Sequence, residues 1–233
     1  EKAAHKQPRS SSSSAPGSRP TPSGAPPSHH RSSLGTTHTP LQRMPSSSGS
    51  VSGGSRSQAH GSRPQAIFIV PAAITSIVNM LNVRDMLEGS VYISATDKKA
   101  NGAIKESTIQ LTHTFEDGSA IDLTVLDNPT KLSPAQWASV AGCVAQGSTW
   151  QFKGWPYPNG EVEIFAKMAG FYVRFNDEIP NQKTKGWKVT NLVFSRERTR
   201  KHEVGVMTSL FWDTLHKFLK INKPQLLYHP RQR

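Results

Sequence analysis

Ile67-Phe68-Ile69-Val70-Pro71-Ala72-Ala73-Ile74-Thr75-Ser76 joins four apolar residues to a proline and a turn of small side chains. Four apolar residues in succession, with no polar alternation, need cover on both faces, which fits a central strand packed between helices. Pro71 lacks an N–H and stops the strand. Beyond it Ile74, Ile77, Val78 and Leu81 recur at i, i+3, i+4 and i+7, the spacing of an amphipathic helix. Asn82 can cap a second short turn over 83–87 that ends at Gly89. Strand, tight turn and helix together open an α/β domain.

Working outward, residues 90–106 are polar and weakly patterned, predicting a loop. Ile109, Leu111, His113 and Phe115 alternate, Asp117-Gly118 turns, and Ile121, Leu123 and Val125 alternate back, which is a hairpin pattern. Ser133, Pro134 and Gln136 form a capping box with proline at the first helical position. Trp137, Val140, Ala141 and Val144 then predict one helix face up to Gly147, with Cys143 inside it. A short strand is predicted over 149–153, with Trp150 and Phe152 in the core. Trp155 stands between glycine and proline, a setting that keeps it out of a regular strand and partly exposed. After Asn159-Gly160, Glu161 and Glu163 suit the first turn of a short helix, although 162–167 also reads as strand. Phe171, Val173 and Phe175 alternate, 176–186 is a polar loop, and 187–194 is a strand. Met207, Leu210, Phe211, Leu215 and Phe218 mark a final helix stopped before Pro224. The predicted order is β-α-β-β-α-β-α-β-β-α, a mixed sheet with helices on both faces.

The 233 residues carry a net charge of +12, unevenly spread. Residues 1–65 hold eight Lys and Arg against Glu1 alone, a balance of +7, while 66–233 hold 20 basic and 15 acidic side chains, a balance of +5. The first segment is Ser, Pro, Gly, His and Arg, with only Leu34, Leu41, Met44 and Val51 as sizeable apolar residues. It cannot bury enough surface to offset chain entropy, so a disordered basic linker is expected over 1–65 and a folded domain over 66–233. A lone cysteine forms no internal disulfide, in keeping with the cytosol or nucleus. No run has the length and apolarity of a membrane span or a signal-peptide core. Opening on Glu1, the sequence reads as a fragment or trimmed product.

The predicted element order is that of Ras-like GTPase domains, so the turn after the first strand is the test. A phosphate cradle needs glycines to bring backbone N–H groups close, and a Lys-Ser/Thr pair for phosphate and magnesium. Residues 70–76 contain neither glycine nor lysine, which predicts a Ras-like mixed sheet without nucleotide binding. Zinc spacing, a nucleophile elbow and a His-Glu-x-x-His motif are also lacking. His113 reads as a packed histidine, and Asp122 and Asp127 as solvated. His29, His30, His38 and His60 follow from the polar composition of the first segment. No enzyme and no cofactor are expected. One charged run stands out: Ser195-Arg196-Glu197-Arg198-Thr199-Arg200-Lys201-His202. It follows the last strand, where ligands of α/β sheets gather, and guanidinium forks suit phosphate. Extended backbone would put Arg196, Arg198 and Arg200 on one face. Lys153 and Trp155 would be a second point of contact if the aromatic turn lay nearby. The expected ligand of these six residues is a phosphorylated, extended peptide. The alternative is direct nucleic-acid binding by the basic segment and the 196–201 patch.

These elements resemble the C-terminal domain of the parafibromin family. The resemblance rests on Ile67 to Ala73, Thr75-Ser76, Met80-Leu81-Asn82 and above all Trp150-Gln151-Phe152-Lys153-Gly154-Trp155-Pro156. Glu163-Ile164-Phe165-Ala166-Lys167 and Phe211-Trp212-Asp213-Thr214-Leu215 extend it, so that it covers about 66–222 apart from 90–108. The resemblance implies a Ras-like fold without nucleotide binding, in a nuclear subunit of the polymerase-associated factor complex. Its implied partners are the other subunits, RNA polymerase II and the phosphorylated repeats of elongation factors. The implied role is to hold the complex on transcribed chromatin, with histone modification as a consequence.

Overall fold

The structure is a computed structural model that describes residues 65–197 and 200–230. The expectation of a disordered linker falls on residues that, Gln65 apart, lie outside this range. Gln65 itself opens the first strand.

Six strands form one sheet: β1 (Gln65–Ile69), β2 (Ile109–Thr114), β3 (Ala120–Leu126), β4 (Val140–Ala145), β5 (Ala169–Phe175) and β6 (Val189–Phe194), in the order β2-β3-β1-β4-β5-β6. All neighbours are parallel except β2 and β3, which form the antiparallel hairpin turned at Asp117-Gly118. Alternate residues of the central strands feed two cores. Phe68, Ala141, Phe171 and Phe175 face α1 (Val83–Leu87) and α5 (Lys201–Asn222). Ile67, Ile69, Val140 and Cys143 face α4 (Gly160–Lys167) and its aromatic surroundings. The order with β2 reversed is the predicted Ras-like arrangement.

Several expectations are corrected. The amphipathic helix over 74–81 is instead a series of turns. The side-chain amide of Asn79 donates to the Ser76 carbonyl at 3.1 Å and to that of Ile74 at 3.3 Å. The amide of Asn82, fully buried, donates to Ile77 at 2.8 Å and Ile93 at 3.0 Å, and its Oδ1 accepts from the Asn79 N–H at 3.0 Å. Asparagine amides compete with helical hydrogen bonds, and here they win. Asn82 still precedes α1, but its side chain is taken up by Ile77, Asn79 and Ile93 and does not cap that helix.

The long helix predicted from Ser133 stops after one turn, α3 (Pro134–Ala138), whose capping box is present. The chain then enters β4, buried at all six positions. Its apolar residues serve both faces of the sheet, which a helical reading assigned to one stripe. The Trp150 stretch is a short 3₁₀ turn, Thr149–Phe152, and not a strand. Phe152 is 8% exposed as expected, whereas Trp150 is 68% exposed. Within the predicted loop 90–106 lies α2 (Ala95–Ala100), capped by the Ser94 hydroxyl accepting from the Asp97 N–H. The open choice at 162–167 resolves to the helix α4.

Two aspartates read as solvated have partners. Asp122 accepts from the Thr112 and Tyr228 hydroxyls, both at 2.9 Å. Asp127, its side chain 8% exposed, pairs with Lys105. His113 is packed as predicted, stacked flat on Trp212 with ring centroids 4.0 Å apart.

Candidate functional site

The carboxyl ends of β5 and β6, the start of α5 and the segment before α2 enclose a groove of about 470 Å³. Its walls include Tyr92, Phe175, Ser195, Arg196, Arg200 and Lys201. The sheet brings Phe175 and Phe194 together, with centroids 5.0 Å apart, and Tyr92 packs edge-on to both at 5.5 and 5.0 Å. The Tyr92 hydroxyl is held above its ordinary pKa by burial, an effect that the nearby Arg196 charge opposes.

Arg196 lies over Phe175, its guanidinium carbon 3.9 Å from the ring centroid, a cation–π contact. Its Nε donates to Asp177 at 3.1 Å and its Nη2 donates to Glu178. Glu178 in turn accepts from the Phe175 N–H at 3.1 Å, so the guanidinium is aimed by the backbone of β5. On the other side Glu203, in the first turn of α5, accepts from the Ser195 N–H at 2.7 Å and from Arg200 at 3.1 Å. Arg200 also pairs with Glu197 at 3.4 Å. Lys201 is exposed and has no carboxylate within ion-pair distance among the described residues.

The cluster is therefore built of cations interleaved with carboxylates. Exposed pairs of this kind contribute only about 0–1 kcal/mol each, so exchanging them for another anion would cost little. Arg200 occupies the N-cap of α5 without a side-chain cap of its own, leaving a 22-residue helix with its positive end turned to the groove.

Of the predicted site, Arg196, Arg200 and Lys201 come together. They do so because the chain turns into α5, whereas alternation along an extended strand was expected. Arg198 lies outside the described residues. Lys153 and Trp155 are elsewhere. Trp155 packs on Trp137 and Phe152, at 5.2 and 5.0 Å, in the core on the α4 face of the sheet. Phe175 and Val204 belong to the opposite face, so the aromatic turn gives no second point of contact. Trp155 is only partly exposed, as its glycine and proline neighbours predict. Sequence reasoning passed over Tyr92, Asp177 and Glu178. The signal for Tyr92 was an aromatic residue in an otherwise polar stretch.

This sheet order, with a proline and two alanines where a phosphate cradle would turn, defines a Ras-like domain that departs from the GTPases at the nucleotide loop. Residues 62–218 match the family described as RNA pol II accessory factor, Cdc73 family, C-terminal, and the chain belongs to that family. Cell division cycle protein 73 of Caenorhabditis elegans is 29% identical over 80% of this chain and 36% of its own length. The Protein CDC73 homolog of Arabidopsis thaliana is 31% identical over 66% of this chain and 38% of its own. Cell division control protein 73 of Saccharomyces cerevisiae is 26% identical over 68% and 39%. The chain thus spans well under half the length of these relatives. The solved structure of the conserved domain of yeast Cdc73 superposes with a TM-score of 0.61 at 23% identity, covering 68% of this chain and 98% of that one.

Proposed function

We propose that this domain is a non-enzymatic recruitment module of the polymerase-associated factor complex, working in the nucleus. In this reading it binds phosphorylated repeats of RNA polymerase II or of an elongation factor, and so helps to hold the complex on transcribed chromatin. Family membership supports the setting in transcription. The reading is carried by one observation: Arg196, Arg200 and Lys201 line a single groove beside Tyr92 and the start of α5. A phosphate brings about −1.5 to −2 charges and three acceptor oxygens, for which these three side chains supply matching donors. Arg198 belongs to the proposal by its place in the same run; Lys153 and Trp155 do not. Pro71-Ala72-Ala73 supports the further reading that neither GTP nor GDP binds.

The test is binding of a synthetic phosphoserine peptide carrying the polymerase tail repeat, measured by fluorescence anisotropy. Hydrogen bonds to charged groups are worth about 1.5–3 kcal/mol each, and 1.4 kcal/mol is tenfold. Arg196→Ala with Arg200→Ala is expected to weaken binding at least tenfold and Lys153→Ala to leave it unchanged. Unaltered affinity in the double variant, with the fold intact by circular dichroism, removes the groove from consideration. Affinity for a single-stranded oligonucleotide that exceeds that for the peptide and falls steeply with salt favours nucleic acid instead.

A further inference from the structure

We infer that β6 is a docking edge, on which an extended acidic peptide adds as a seventh strand with its phosphates held at the ends. This rests on the groove reading above and says how the rest of the peptide is bound. β6 ends the sheet. Phe194 turns its carbonyl inward, accepting from the Asn176 N–H at 3.0 Å. Backbone groups alternate along a strand, so those of Thr190, Leu192 and Phe194 face β5, and those of Asn191 and Val193 face away from it. No strand lies beyond to pair with them among the described residues.

Exposed edges are ordinarily blunted by charges, prolines or bulges. Val189–Phe194 has no charged residue and no proline, and its register with β5 is unbroken. The charges sit at its ends. Lys185 and Lys188, both exposed, precede it, and the Arg196, Arg200 and Lys201 groove follows it. At ~3.3 Å per residue, the six residues separate these basic ends by about 20 Å. The opposite edge, β2, is also uncharged but is not bracketed by unpaired cations: Lys105 before it pairs with Asp127, and Glu116 and Asp117 follow it, Asp117 paired with Lys220. Backbone pairing along β6 gives affinity without a sequence requirement, and the basic ends supply selection for phosphate.

The probe is a ten-residue synthetic peptide with a phosphoserine near each end and six uncharged Thr, Val and Tyr residues between. Saturating peptide is expected to slow hydrogen exchange of the Asn191 and Val193 amides at least tenfold, leaving that of Leu192 unchanged. N-methylation of alternate backbone amides in one of the two registers should lower affinity at least tenfold; the other register should be tolerated. If exchange at Asn191 and Val193 is unaffected while the Arg196→Ala, Arg200→Ala variant still loses binding, the edge proposal is overturned and the groove reading survives. Protection of both amides by a peptide indifferent to dephosphorylation and to that variant upholds the edge and overturns the groove. A peptide that does not bind at all overturns both. Protection that grows with protein concentration in the absence of peptide assigns the edge to a second copy of the chain and overturns the proposal.

Discussion

His113 sits on the sheet margin with its ring flat against Trp212 and edge-on to Phe115 at 4.9 Å, while His216 stacks on Phe115 at 4.0 Å. Burial pushes the His113 pKa below its ordinary 6.5, His216 pushes the same way, and Asp213 opposes them. The folded state thus favours the neutral ring. As pH falls through the unfolded value, the unfolded chain gains a proton that the folded chain does not, and stability is lost until the folded pKa is passed. Urea unfolding of the domain is therefore expected to show falling stability between pH 7 and pH 5. The decline should be shallower in His113→Phe, which keeps an aromatic ring without the titration. Equal slopes in the two proteins remove His113 as the source. At the same scale, Phe152 and Trp150 show how little two positions of spacing determine. Phe152 fills the space between Phe165 and Trp187, at 5.8 and 5.6 Å, and Trp150 points outward.

Among the elements, β4 separates the two readings of 133–147 most sharply. At Gly142 an added Cβ would lie 2.7 Å from the Ala169 carbonyl oxygen and 3.0 Å from the Phe68 ring, because β4 runs between β1 and β5. In a helix, Gly→Ala would stabilise by roughly 0.8–1 kcal/mol. In this strand Gly142→Ala forces backbone against backbone, and a loss of about 1–3 kcal/mol is expected. Chemical denaturation reads the sign directly, and a gain in stability would restore the helix. The short α3 forms beside β4 with its N-terminal N–H groups satisfied by the Ser133–Gln136 capping box. Next to α3, the Lys223 ammonium reaches the carbonyls of Ala138 and Val140 at 3.0 and 2.6 Å. Burial lowers its pKa to about 8.

For the whole molecule, charge and core are divided between different parts of the chain. Residues 1–65 carry +7 of the net +12 and almost none of the bulky apolar side chains. The two cores on the sheet are assembled from residues beyond 65. Deleting residues 1–64 is therefore expected to leave the thermal midpoint unchanged within about 1 °C. A drop of several degrees would mean that the segment packs on the domain, as about 1 kcal/mol shifts the midpoint by ~2–4 °C at this size.

The sequence by itself determined the elements whose evidence is local. The hairpin of β2 and β3 is written in alternation around Asp-Gly, and α5 in a 3.6-residue stripe before proline, whereas the two acids after Asn-Gly left α4 open between helix and strand. Their succession already predicted the Ras-like order, and the residues after β1 argued against a phosphate cradle. Only the tertiary structure decided the rest. Whether 140–145 is strand or helix depends on having β1 and β5 on either side, because an apolar run buried on both faces has no period that tells the two apart. The turns over 74–81 depend on where Asn79 and Asn82 find carbonyls, one of them, Ile93, eleven residues away from Asn82. The groove depends on the turn into α5, which sets Arg196 and Arg200 beside Tyr92. The same folding places Lys153 and Trp155 on the other side of the sheet. Such positions are fixed by packing between residues far apart in the chain, and local spacing carries no record of them.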